Sequence, residues 1–139
     1  MNSNKSDAGF VEVIHTADLA IRVWAPDYKC LLITALKAMY SLMDINLIRE
    51  EKVFCNFTLE AEDLEGMLVA FLSEFLFMVE SENLAFDQVD LIQQGNCFSV
   101  QAEGSLIEPM YNEIKAVTYH NLSVDKIEEG FEVTIVFDV

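Results

Sequence analysis

The sequence predicts an α+β fold, two long helices packed on a mainly antiparallel β-sheet within one domain. Two segments repeat apolar residues at helical spacing, and shorter runs that alternate or are rich in β-branched and aromatic residues surround them. The 139 residues, 53% of them apolar, supply one core and not two. With only five Gly and two Pro, the chain is not a disordered or low-complexity one.

Residues 1–9 read as a flexible polar leader and residues 10–139 as the folded domain. Strand-like runs follow at Phe10 to Ile14 and Leu19 to Trp24, the second alternating Leu19, Ile21 and Val23 against Ala20, Arg22 and Trp24, with the polar corner HTAD between them. Pro26 and Asp27 signal a helix start, and Leu32, Leu36, Met39 and Met43 keep one helix face apolar as far as Asp44 to Asn46. From Val53 to Ala61 apolar and polar residues alternate, apart from Phe54, as in a half-buried strand. Asp63 can cap a second helix, apolar nearly all round through Val79, which suits a central position between sheet and neighbours or an interface. Phe86 to Gln93 and Cys97 to Glu103 form a hairpin through Gly95-Asn96. Ile114 to His120, Leu122 to Ile127 and Phe131 to Val136 supply further strand, with a turn at Gly130.

Eight basic against twenty-four acidic side chains give a net charge of −16. Such a field repels phosphate backbones and anionic lipid, so direct high-affinity nucleic-acid binding and membrane association are disfavoured. A protein with a basic surface is the better partner. The first ten residues hold no signal-peptide core, and the densest apolar run, Val69 to Val79, falls below the roughly 18 residues of a spanning helix, which points to a cytoplasmic protein. Cys30, Cys55 and Cys97 form no close pair and read as buried, reduced core residues. Nothing in the residues sets an oligomeric state.

No Gly-rich phosphate loop, GxSxG elbow, HExxH or CxxC is present, which weakens independent NTPase, serine-hydrolase and zinc readings. His15 and His120 taken singly read as hydrogen-bonded structural residues that could support a site if folding brings them near one. Among many solvated carboxylates two stand apart. Asp18 sits at a corner between apolar strands, where a sheltered carboxylate needs a partner. Asp138 is penultimate, on the strand face opposite Phe131, Val133, Ile135 and Phe137, beside the α-carboxylate of Val139. If folding joins them, these oxygens suit a hard cation such as Ca²⁺, Mg²⁺ or Mn²⁺. Lys115, a rare cation inside the strand-like Glu113 to His120, is either a solvated edge lysine or an anion contact.

Four strings then carry a resemblance: HTADLAI (15–21), DLEGMLVAFLSEFLFMVESENLAF (63–86), EIKAVTYH (113–120) and the closing VFDV (136–139). In this order, they make the chain similar to the archease family from about Phe10 onward. The resemblance implies an α+β archease-like domain that is not itself an enzyme. It implies a protein that activates an RtcB-type RNA-splicing ligase in tRNA splicing by promoting guanylylation of the ligase histidine and repeated turnover. It further implies a metal, Ca²⁺ in the family, held at Asp18, Asp138 and Val139, and a role in activation for Lys115. Ala20 and the Ala25-Pro26-Asp27 turn stand where glycine is common in the family, and the 104–112 segment looks shortened, so no role is carried onto it. Two other functions compete: a small metal-dependent phosphohydrolase using the same carboxylates, and a chaperone or scaffold acting through the apolar second helix.

Overall fold

Each helix begins where an aspartate turns its side chain back onto the first free N–H groups. Asp27 accepts from the Cys30 N–H at 2.8 Å and opens helix α1 (Tyr28–Leu42). Asp63 accepts from the Gly66 N–H at 2.7 Å and opens helix α2 (Leu64–Glu82). These are the cap positions the sequence marks, and each satisfies a donor that the helix cannot pair internally. At the other end of α2, Asn83 takes the left-handed conformation (φ 57°), a position that asparagine tolerates better than most residues. The computed structural model describes residues 7–13, 18–110 and 112–139.

The strands divide between two antiparallel sheets. One runs in the order β1 (Gly9–Val13), β2 (Leu19–Ala25), β8 (Gly130–Asp138) and β6 (Ala116–Val117), with β7 (Asp125–Ile127) also pairing with β8. The other is β3 (Val53–Glu60), β5 (Cys97–Leu106) and β4 (Leu84–Gln94), in that order. The helix pair touches both sheets: α1 packs on β2, β8 and β4, and α2 on β3, β4 and β6. This central place explains why α2 is apolar nearly all round, since nine of its residues, from Met67 to Val79, are buried.

Aromatic packing joins the layers. Phe75 of α2 meets Phe71 at 5.0 Å between ring centroids, Phe57 of β3 at 5.5 Å and Phe86 of β4 at 5.8 Å, all edge to face. Burying each such side chain stabilises the fold by about 1.5–3 kcal/mol. Asp87 is the extra residue of a bulge in β4, where the register with β5 shifts between Phe86 and Gln88. Gly104 faces that bulge, and a Cβ there would collide with the Ala85 carbonyl oxygen.

Three expectations change in extent. The run Ile114 to His120 pairs as strand only at Ala116 and Val117. Beyond them Leu122 donates to the Tyr119 carbonyl at 3.1 Å and Asn121 is left-handed (φ 50°), so a turn ends the strand. The run Leu122 to Ile127 shortens to β7. Cys30, Cys55 and Cys97 are free but only half-buried. Cys30 lies in the first turn of α1, Cys97 opens β5, and Cys55 is on β3, an edge strand whose inward side chains are covered from one side only. Among the described residues no helix is long and apolar enough to cross a membrane.

Candidate functional site

Strand β8 is the spine of the five-stranded sheet, with β2 on one side and β6 on the other. Its register against β2 runs from Ala25↔Phe131 to Leu19↔Phe137. Asp18 precedes Leu19 and Asp138 follows Phe137, so the two aspartates extend this antiparallel register one step past its last pair. On the opposite side Ala116 pairs with Asp138, and the N–H of the preceding residue, Lys115, donates to the Asp138 carbonyl at 2.7 Å. The sheet thereby gathers Asp18, Lys115, Asp138 and Val139 at one end, although Asp18 lies 97 or more residues from the other three in the sequence. Asp18 is half-buried, whereas Lys115, Asp138 and Val139 are exposed.

Alternation along β8 sets the face on which Asp138 stands. Val133, Ile135 and Phe137 enter the core against Val23, Ile21 and Leu19, so Asp138 turns to the other face. Lys115 engages the Asp138 main-chain oxygen, and Asp138 itself is exposed. With Asp18 and a main-chain oxygen of Val139 it offers oxygen donors of the kind a hard cation takes, and no soft ligand competes at these positions. The donor set fits Ca²⁺, Mg²⁺ or Mn²⁺ by its chemistry. No group of three or more His, Cys, Asp or Glu side chains placed to hold a metal ion is found among the described residues.

The two histidines part company. His15 lies outside the described residues, with Thr16 and Ala17 of the HTAD corner. His120 is exposed in the turn that follows β6, its Nε2 lying 3.3 Å from Asn121 Nδ2. It belongs to the same connection as Lys115 but stands past the other end of the short strand.

Sequence reasoning passed over two residues that hold this connection. The Thr118 hydroxyl donates to the Val136 carbonyl at 2.9 Å. Glu65, in the first turn of α2, accepts from the Val124 N–H at 2.7 Å and fastens the chain just before β7. Beside Glu65 the Tyr28 hydroxyl donates to the Leu64 carbonyl at 2.7 Å, and burial, then Glu65 and Asp63, push its phenol above the ordinary range. No local pattern marks these partners, because each bond spans elements far apart in the chain. The one available signal is an acidic residue two positions after a helix cap, which usually serves the helix dipole alone.

Two antiparallel sheets around a helix pair, with carboxylates at the end of the larger sheet's spine, define a small acidic α+β protein. Residues 10–139 match the model of the Archease protein family (MTH1598/TM1083). The chain is 34% identical over 130 residues to protein archease of Methanopyrus kandleri, covering 86% of this chain and 90% of that protein. It is 31% identical over 135 residues to protein archease of Methanosarcina barkeri, covering 90% and 92% respectively. The crystal structure of an archease, a possible chaperone, from Thermotoga maritima shares the fold with a TM-score of 0.71 at 23% identity, over 91% of this chain and 94% of that one. The solution structure of protein 1598 of Methanobacterium thermoautotrophicum does so at 0.67 and 21%, over 97% and 99%. The chain belongs to the archease family.

Proposed function

We propose that this chain is a non-enzymatic, cytoplasmic activator of an RtcB-type RNA ligase, promoting guanylylation of the ligase histidine so that the ligase turns over repeatedly in tRNA splicing. Family membership supports the reading, and the observation that carries it is the register of β2 and β6 on β8, which brings Asp18, Asp138, Val139 and Lys115 to one sheet end. In this reading Asp18, Asp138 and Val139 hold a divalent cation, Ca²⁺ or its oxygen-loving relatives. Such an ion supplies positive charge for phosphate oxygens.

The chain's own residues do the rest. Exposure of Asp138 and Lys115 lets the sheet end enter a partner's cleft, and the Lys115 ammonium meets a phosphate or a ligase carboxylate there. The −16 charge favours encounter with a basic protein surface and disfavours RNA as the direct ligand. The test adds the chain in substoichiometric amount to an RtcB-type ligase with GTP, Mn²⁺ and broken RNA, and follows guanylylated ligase and joined RNA. Joining should rise from about one turnover to many; an unchanged turnover number would contradict the reading.

A further inference from the structure

The connection from Lys115 to Val124 carries two of the candidate site residues, yet only Ala116 and Val117 are laddered into the sheet. A two-residue strand is a weak anchor for the chain that follows it. At its exit stands Thr118, whose hydroxyl makes two hydrogen bonds at once. It donates to the Val136 carbonyl at 2.9 Å and accepts from the His120 N–H at 3.2 Å. The Thr118 N–H also donates to the Val136 carbonyl, at 3.1 Å. Val136 is two residues before Asp138 on the same strand and therefore on the same sheet face.

We propose that Thr118 is a positioning residue: its hydroxyl pins the His120 turn to Val136 of β8, the strand that carries Asp138, and so sets how the exposed His120 is presented to the ligase. The inference rests on the activator reading above and names a residue that reading does not use. The chemistry is specific to a hydroxyl, since the position needs one donor toward Val136 and one acceptor toward His120, which neither an apolar nor a cationic side chain supplies. Valine keeps the shape and the backbone bond but removes both hydroxyl bonds. Serine keeps both.

The test compares Thr118→Val and Thr118→Ser with the wild-type chain in two measurements. In the isolated protein, amide hydrogen exchange at His120 should speed up about tenfold in Thr118→Val and by less than about threefold in Thr118→Ser, because lost hydrogen bonding at the level of about 1.4 kcal/mol is a factor of ten. Exchange at Lys115, bonded to Asp138, should stay unchanged and shows that β6 still pairs with β8. With the ligase, GTP and Mn²⁺, maximal guanylylation at saturating chain should fall severalfold in Thr118→Val and recover in Thr118→Ser, while the half-saturating concentration stays constant. Unchanged His120 exchange in Thr118→Val overturns the proposal whatever the ligase does. Faster exchange with full activation also overturns it, leaving the hydroxyl a purely structural role. Loss of Lys115 protection assigns Thr118 to strand pairing instead and overturns it as well. A wild-type chain that fails to activate removes the activator reading and the functional half of this proposal with it, and the exchange ratio still decides the pinning half.

Discussion

Tyr40→Phe removes a single oxygen from a well-defined place. The Tyr40 hydroxyl accepts from the Phe86 N–H at 3.1 Å, both residues are buried, and Phe86 stands at the bulge of β4. Because β4 is the outer strand of its sheet, no neighbouring strand can take over that N–H. An orphaned buried donor costs about 1–3 kcal/mol. The hydroxyl borders an open groove of about 370 Å³ between α1 and β4, so a water entering its space should hold the cost to about 1–2 kcal/mol. At roughly 3–4 °C per kcal/mol for this length, the melting temperature should drop by about 3–8 °C. Urea unfolding should give the same loss at an unchanged m-value, with Phe86 amide exchange about tenfold faster. A melting temperature within about 1 °C of wild type, with Phe86 exchange unaltered, would refute the assignment of this hydroxyl as the acceptor that holds the strand edge.

Alkaline pH should weaken the protein through the same group and two others. Burial is the first cause that raises the Tyr40 and Tyr28 phenols and the Cys55 thiol, with carboxylates adding to it, Glu65 and Asp63 at Tyr28 and Glu74 and Glu82 at Cys55. Their contribution is whole below the unfolded values, about 8.5 for the thiol and 10 for the phenols, and is lost as pH climbs above them, because the unfolded chain ionises first. Urea midpoints should therefore hold between about pH 7 and 8 and fall beyond about pH 9, less steeply in Tyr40→Phe; a midpoint flat to pH 10.5 would contradict this. Glu65→Ala leaves the Val124 N–H without its 2.7 Å acceptor and should cost about 1–2 kcal/mol by urea unfolding, with exchange at Val124 the most accelerated; Glu65→Gln, which keeps an acceptor oxygen, should recover most of it. Gly104→Ala drives a methyl into the backbone of Ala85 and Phe86 and should destabilise by about 1–3 kcal/mol, read as a lower urea midpoint, whereas Gly95→Ala meets open space and should cost only its left-handed backbone strain.

Much of the fold was legible because its signals are local. Asp27 and Asp63 cap the helices they were expected to cap, the alternation of Val53 to Glu60 lies half-buried as a strand, and Gly95, at φ 66°, turns the β4–β5 hairpin. What alternation does not encode is a strand's partner. Nothing in the β2 and β3 sequences says that one pairs with β8 and the other with β5, so the division into two sheets emerges only from tertiary contacts. β6 was over-read for a related reason: the apolar and β-branched residues of Ile114 to His120 fit a strand, but the Thr118 hydroxyl and the left-handed Asn121 turn the chain away after Val117. The candidate site was legible as residues and not as a place. Asp18, Lys115 and Asp138 stood out for their settings, whereas their common position depends on the long-range register of β8 with β2 and β6. Glu65 and Thr118 gave no such sign, their role being set wholly by partners elsewhere in the chain.

In the function proposed above, the carboxylate end of the five-stranded sheet is the working part of the activator. That role is tested most directly by measuring the rate of ligase-histidine guanylylation by GTP in the presence of the wild-type chain, Asp138→Ala or Asp18→Asn. Each variant's fold is checked by its melting temperature. Asp138 is exposed, so Asp138→Ala should cost no more than about 0.5 kcal/mol, whereas the half-buried Asp18 makes Asp18→Asn cost about 1 kcal/mol while the chain stays folded. The wild-type chain should accelerate guanylylation, and each folded variant should lose at least about tenfold of that acceleration. Variants that are folded and fully active would contradict that role.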